Sequence, residues 1–147
     1  MSVSIRQTVA ALGLAVVALA QGGAANAETT KTAPIAADDP RMVAGLAIYT
    51  DTCMACHRAT GEGVPNLFPK LAKSDVVQQK NAAWPIIMVL QGGRSGATDA
   101  SPTGAAMPSL GWRLSDDQVA DVLTYIRNSW GNAAPALAAR DVEKLRQ

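Results

Sequence analysis

The sequence predicts an all-α fold, in which a helix near the start of the folded region crosses a helix near its end. Two helical patterns support this prediction: one begins just before Pro40, and the other covers about residues 116–130. A third observation concerns the core, because aromatic residues make up only 4% of the chain. A domain of this size is therefore short of large side chains with which to fill its centre.

The first predicted helix runs from Pro40 to Cys53. Either of the two aspartates before Pro40 can cap it, and proline is favoured at the first helical position. Gly45, Tyr49 and Cys53 are four residues apart, so they lie on one face of this helix. A glycine there lets a second helix approach closely, and the aromatic ring one turn later can pack beside it. We expect the crossing at this face, the alternative being that Gly45 is only a weak helix residue.

The last predicted helix has the clearest signals in the chain. Ser115 and Gln118 have the spacing of a capping box, with Leu114 placed for a hydrophobic staple. The helix dipole stabilises the two aspartates in the first turn. Gly131 can end the helix. Apolar residues recur with the helical period at Val119, Val122, Leu123 and Ile126. This stripe, flanked by Tyr125, is the best candidate to cross the first helix.

Between these helices the sequence predicts two shorter ones and a long loop. Ser74 can cap a short helical turn. A further helix should begin near Asn81, since Pro85 is tolerated only in a first turn. The loop 92–106 shows no period and ends at Met107. A loop of this length in a compact domain is usually functional.

Residues 53–57 form the run Cys-Met-Ala-Cys-His, which is the C-x-x-C-H attachment site of a c-type haem. Thiols three positions apart, Cys53 and Cys56, can add across the two vinyl groups of one porphyrin. The adjoining His57 can place a ring nitrogen on the iron. A buried porphyrin would also supply the apolar bulk that the few aromatic residues do not. We therefore expect one covalent haem c at the centre of the fold.

Three other interpretations of the cysteine pair are weaker. A structural zinc ion needs four ligands, whereas the chain contains two Cys and one His. A thioredoxin-like redox pair follows a strand, whereas a helical pattern leads into Cys53. A structural disulfide would leave His57 without a task.

The N-terminal residues predict export. In residues 1–27, Arg6 is the only charge, an apolar run covers 9–20, and Ala25-Asn26-Ala27 offers small residues for a signal peptidase. The run is too short for a clear membrane span, although an uncleaved anchor is an alternative. We predict a periplasmic protein with a signal peptide at 1–27, a flexible leader at 28–37, a domain at 38–132 and a C-terminal tail at 133–147. Loss of Arg6 would leave equal numbers of basic and acidic residues, and nothing points to nucleic acid.

The chain resembles the class I cytochrome c family over residues 38–131. The resemblance is carried by Gly45, Tyr49, the C-x-x-C-H run, Pro65-Asn66-Leu67, Met107-Pro108, Val122 and Tyr125. It implies a fold with crossed N- and C-terminal helices around one haem. It also implies that the Pro65 carbonyl accepts a hydrogen bond from the His57 imidazole, and that Met107 is the sixth iron ligand.

Within that family the chain is most similar to single-haem modules of the cytochrome subunits that serve bacterial alcohol and gluconate dehydrogenases. The similarity lies in residues 63–72, 90–94 and 125–132. It implies a periplasmic or membrane-bound dehydrogenase as electron donor, and a respiratory oxidase or another cytochrome as acceptor. This chain differs from the multi-haem subunits in having one C-x-x-C-H.

The sixth ligand can also be argued from the residues alone. His57 is the only histidine, so a second imidazole is excluded within one chain. The initiator methionine leaves with the signal peptide, and Met54 is held inside the attachment run. Met42 and Met88 fall on predicted helices, where methionine is more often core filling. Met107 lies on a loop before a proline that stiffens the backbone, so we expect it to bind the iron.

Imidazole and thioether ligands leave no open iron position, and the thioether raises the reduction potential. We therefore predict an electron-transfer cytochrome and not an enzyme. Two alternatives stay open. If Met107 dissociates easily, the protein is a haem sensor or weak peroxidase; or the domain is a fixed haem subunit of one dehydrogenase complex. Arg94, Trp84 and Trp112 are candidate haem propionate partners or, equally, ordinary surface residues.

Overall fold

A computed structural model describes Met1, residues 33–94 and residues 105–146 of the chain. The described residues are mostly helical. The helices are α1 (Pro40–Ile48), α2 (Met54–His57), α3 (Asp75–Gln78), α4 (Ala83–Gln91), α5 (Asp116–Asn128) and α6 (Ala139–Glu143), with a π-helical turn at Tyr49–Cys53 and strands β1 (Gly93–Arg94) and β2 (Ala106–Met107). Apart from Met1, the predicted signal peptide and residues 28–32 of the predicted leader lie outside the described residues.

The first predicted helix is present but is not one regular α-helix. It begins at Pro40, where Asp39 Oδ1 accepts a hydrogen bond of 2.9 Å from the Arg41 N–H. Its path continues through the π-helical turn into α2, so the helical region ends at His57 rather than at Cys53. A π-helical turn holds an extra residue, and such turns are frequent at functional sites. This one lies directly before the cysteine pair.

The predicted crossing of the first and last helices is confirmed. α1 packs on α5 at Gly45, where an added Cβ would lie 2.6 Å from the Tyr125 Cβ and closer still to the Asp121 carbonyl oxygen. Tyr49 packs beside the crossing, with its ring centroid 5.5 Å from that of Tyr125 and 4.9 Å from that of Trp130. Only a residue without a side chain permits this approach of the two backbones.

The predicted capping box of α5 is also present. Ser115 Oγ accepts from the Gln118 N–H at 3.3 Å, and the Gln118 side chain accepts from the Ser115 N–H at 2.9 Å. The helix ends at Asn128, two residues earlier than its pattern predicts. Its apolar stripe forms much of the core, with Val119 and Val122 almost fully buried.

The middle of the chain follows the prediction in part. Ser74 caps α3. α4 begins two residues after Asn81, whose Oδ1 accepts from the Ala83 N–H at 2.9 Å, and Pro85 lies in its first turn. The loop predicted to lack regular structure instead pairs its two ends as an antiparallel ribbon of β1 and β2, with Gly93 opposite Met107. The residues between them, 95–104, lie outside the described ranges.

The predicted tail packs on the domain. Val142 in α6 is fully buried, and Thr124 Oγ1 in α5 accepts a hydrogen bond of 3.0 Å from the Leu137 N–H. At the other end of the folded region, the Ile35 N–H donates to Asn128 Oδ1 at 3.2 Å. Both ends are therefore tied to α5. In the two described ranges, no helix is long and apolar enough to cross a membrane.

Candidate cofactor site

His57 closes the helical region that begins with α1. Arg58 follows with a φ of 68°, which ends α2. The His57 side chain is buried, and its Nδ1 lies 3.0 Å from the Pro69 carbonyl oxygen. Since a carbonyl can only accept, Nδ1 carries the proton and Nε2 keeps its lone pair. Burial lowers the pKa of His57, which the hydrogen bond to Pro69 partly offsets. The ring is thus held neutral, as a metal ligand must be.

This contact corrects the expectation for Pro65. Val64 and Phe68 pair with each other through two backbone hydrogen bonds of 2.9 Å, so the residues between them form a turn. Pro65 lies in that turn and is exposed. The chain comes back to His57 only after the pair closes, and there it presents the carbonyl of Pro69.

Cys53 and Cys56 are both free thiols, Cys53 buried and Cys56 half-buried. Burial, with a smaller contribution from Cys56, raises the pKa of the Cys53 thiol to about 11. In the chain before haem attachment, Cys53 therefore stays protonated at neutral pH. The helical path through the π-helical turn brings both thiols to the wall of the cavity that His57 lines.

Two adjoining cavities of about 120 and 190 Å³ form a cleft beside the cysteine pair. Its deeper wall is apolar and comes from α3, α4, α5 and the segment before α5. The residues that line both cavities are Cys53, His57, Pro69, Trp84, Met88, Met107 and Leu110; those of the deeper wall include Val77, Val89, Leu114, Val122, Leu123 and Ile126. The sequence identified the α5 residues of this wall by their period. The sequence analysis missed Pro69 and Leu110, because they lie in segments that show no periodic apolar pattern.

Met107 reaches the cleft because its strand lies against the end of α4. Gly92 has a φ of 70°, and an added Cβ there would lie 2.5 Å from the Met107 carbonyl oxygen. The following residues cap α4, with the Leu110 N–H donating to Val89 O and the Gly111 N–H to Leu90 O, each at 3.0 Å. The last carbonyls of a helix lack partners inside it. Here the segment that carries Met107 supplies them.

The other residues considered from the sequence are divided between cleft and surface. Met88, assigned to core filling, lines the cleft, whereas Met42 is buried in α1 away from it. Trp84 lines the cleft and is 54% exposed. Trp112 does not line it, and its Nε1–H donates to the Ser109 carbonyl at 3.0 Å. Arg94 lies in β1.

These residues fit a covalently attached haem. The cleft offers two thiols, an imidazole with Nε2 available, a thioether, and apolar walls that suit a porphyrin. Within the described part of the chain, no group of three or more His, Cys, Asp or Glu side chains could hold a metal ion by itself.

Comparisons with known proteins find relatives among the c-type cytochromes. The family model described as Cytochrome c matches residues 42–130. The gluconate 2-dehydrogenase cytochrome c subunit of Pantoea cypripedii is 41% identical over 105 residues, which cover 70% of this chain and 24% of that subunit. The cytochrome c subunit of the quinone alcohol dehydrogenase of Gluconacetobacter polyoxogenes is 39% identical over 113 residues, covering 76% and 24%.

A smaller protein matches along most of its length. Cytochrome c-552 of Thermus thermophilus is 31% identical over 111 residues, which cover 69% of this chain and 83% of that protein. By contrast, the chain spans about a quarter of the length of the two dehydrogenase subunits.

Proposed function

The chain belongs to the cytochrome c family, and from that premise we propose that it is a periplasmic single-electron carrier whose haem iron is bound by His57 and Met107. Its cofactor is one covalent haem c, and its role is electron transfer. The observation that carries the proposal is that His57, with Nε2 available, and Met107 line the same apolar cleft. The haem, held by His57 and Met107, would supply one-electron chemistry between the ferric and ferrous states, and the Met107 thioether would favour the ferrous state.

Each protein group has a defined task in this proposal. Cys53 and Cys56 form the two thioether bonds to the porphyrin. The Pro69 carbonyl fixes the tautomer and orientation of the His57 ring. The deeper wall of the cleft excludes water, which lowers the cost of rearranging solvent when the charge of the iron changes. These tasks are those of an electron carrier rather than of a catalyst.

The donor that we propose is a periplasmic or membrane-bound dehydrogenase, because two relatives are cytochrome subunits of gluconate and alcohol dehydrogenases. A respiratory oxidase or another cytochrome would then take the electron.

The test uses the holoprotein matured with covalent haem. We expect a low-spin ferric spectrum with a near-infrared sulfur-to-iron band, and rapid reduction by envelope membranes supplied with a dehydrogenase substrate. Heat-treated membranes are the control. A high-spin spectrum would favour the sensor or peroxidase alternative. Stable co-purification with a dehydrogenase would favour the fixed subunit.

A further inference from the structure

Arg146 joins the C-terminal tail to the segment that connects Met107 with α5. Its Nη1 donates to the Gly111 carbonyl at 2.5 Å and its Nη2 to the Leu114 carbonyl at 2.9 Å. Its Nε donates to Asp116 Oδ1 at 2.6 Å, completing an ion pair in which the two side chains are 31% and 27% exposed. All three nitrogens of one guanidinium thus hold residues 111–116.

The opposite side of the same segment lies on α4. Ser109 Oγ donates to the Leu90 carbonyl at 2.6 Å, and the Gly111 N–H donates to the same oxygen at 3.0 Å. Gly111 therefore receives Arg146 on its carbonyl while its N–H is held by α4. The chain that leads from Met107 to α5 is therefore held on both sides, beginning two residues after Met107.

The position of Arg146 is fixed by the fold of the tail. Val142 is fully buried against the domain, and its carbonyl accepts from the N–H groups of Leu145 and Arg146 at 2.9 and 3.1 Å. The guanidinium is consequently presented by an anchored turn and not by a free chain end. Less side-chain and backbone freedom is lost when its hydrogen bonds form.

We propose that Arg146 is a positioning residue for the Met107–iron bond, acting by holding residues 111–116 in place. The proposal rests on the proposed ligation by Met107. It assigns to the C-terminal tail a part in the retention of the sixth ligand: without Arg146, residues 107–111 swing away from the iron more often, and an external ligand enters sooner.

A second ion pair on this segment provides a contrast. Arg113 Nη2 lies 2.6 Å from Asp51 Oδ2, but the two side chains are 47% and 68% exposed. Exposed pairs of this kind contribute little. Arg146 differs because it also satisfies two backbone carbonyls, and its partners are better shielded from solvent.

The experiment measures the rate at which added imidazole replaces the methionine ligand in the ferric holoprotein. The loss of the near-infrared band reports this replacement. In Arg146→Ala we expect this rate to rise about tenfold, as befits the loss of charge-assisted hydrogen bonds. Arg146→Lys should give a smaller increase, because one ammonium cannot serve three acceptors at once. Arg140→Ala removes an equal charge from an exposed position in the same tail and should leave the rate unchanged.

Met42→Ala separates ligand retention from general stability. Met42 is buried in α1 and does not line the cleft, so its loss lowers the midpoint of unfolding without touching residues 107–116. Equal acceleration in Met42→Ala and Arg146→Ala would overturn the proposal, as would an unchanged rate in Arg146→Ala. If Arg146→Ala does not mature, Arg146→Lys is measured in its place, because its ammonium cannot serve all three acceptors; a rate equal to wild type there would overturn the proposal too. Absence of the band in the wild-type protein would instead refute ligation by Met107.

Discussion

A single hydrogen bond, from His57 Nδ1 to the Pro69 carbonyl, determines which ring nitrogen is available to a metal. The sequence pattern does not show whether Pro65 or Pro69 accepts this hydrogen bond. Both prolines follow the attachment run within twelve residues, and only the pairing of Val64 with Phe68 sets which one returns to the histidine. The two cysteines, His57 and Met107, by contrast, could be identified as site candidates from residue chemistry and spacing.

The first prediction concerns Met107. Met107→Ala should eliminate the near-infrared sulfur-to-iron band, admit external ligands, and lower the reduction potential by on the order of 100 mV, because the ferrous state loses its soft ligand. Absorption spectroscopy and a redox titration measure these changes. Met42→Ala and Met88→Ala should keep the band, and the Met88 variant is the stricter control because Met88 also lines the cleft. A band that survives in Met107→Ala would direct attention to another sulfur donor, such as Met88.

Among the elements, the crossing of α1 and α5 and the attachment of β2 to α4 bring the site residues together. Capping residues and apolar periods suffice to predict α1, α5 and, to within two residues, α4. They do not predict the ribbon, because two-residue strands are too short to show a period, and they do not predict the π-helical turn. The contacts of α6 escape prediction for another reason: Val142 and Arg146 find their partners far away in the sequence.

The second prediction tests the crossing. Gly45→Ala should lower the free energy of unfolding by about 3 kcal/mol, since its methyl group would overlap the Asp121 carbonyl and Tyr125. Denaturant titration of the holoprotein measures the change. Gly93→Ala is the matched control, because its methyl group would meet only the flexible end of Met88, at 3.2 Å; its cost should be about 1 kcal/mol or less. Equal costs for the two variants would contradict the account of the crossing.

For the molecule as a whole, the cleft lies where other domains have a filled core. The walls contributed by α3, α4, α5 and the segment before α5 border a cavity of about 190 Å³ in the middle of the hydrophobic cluster. The haem completes this core, so cofactor binding and folding depend on each other.

The third prediction follows from this dependence. Cys53→Ser combined with Cys56→Ser should abolish covalent haem and remove most of the cooperative thermal unfolding, because the walls of the cleft lose the group that they pack against. A pyridine haemochrome assay and near-ultraviolet circular dichroism test the two effects. A compact apoprotein that unfolds as cooperatively as the wild type would show that the core does not need the porphyrin.

The fourth prediction concerns docking. The chain has 13 basic and 12 acidic residues, and the residues next to the cleft include the exposed Ala55, Ala106 and Pro108. Such a rim gives little long-range steering. We expect a transient contact of roughly 1,200 Å² or less, and a rate of electron transfer from the dehydrogenase that changes less than about threefold between about 0.05 and 0.2 M salt. Stopped-flow reduction at increasing salt measures it. A steep decline would mean that Arg58, Lys70, Lys73 and Arg94 form a steering patch.

The crossing at Gly45 also has a consequence for timing. Its partner, α5 (Asp116–Asn128), is made well after α1 (Pro40–Ile48), and most of the domain lies between the two helices in the sequence. Contacts between such distant segments form late. Until α5 is made, the α1 face that carries Gly45 and the adjoining Tyr49 have no helix to pack against, and the cysteine pair just beyond them remains open. Because α1 and the cysteine pair precede α5 in the chain, haem can be attached to the cysteines before α5 packs on α1.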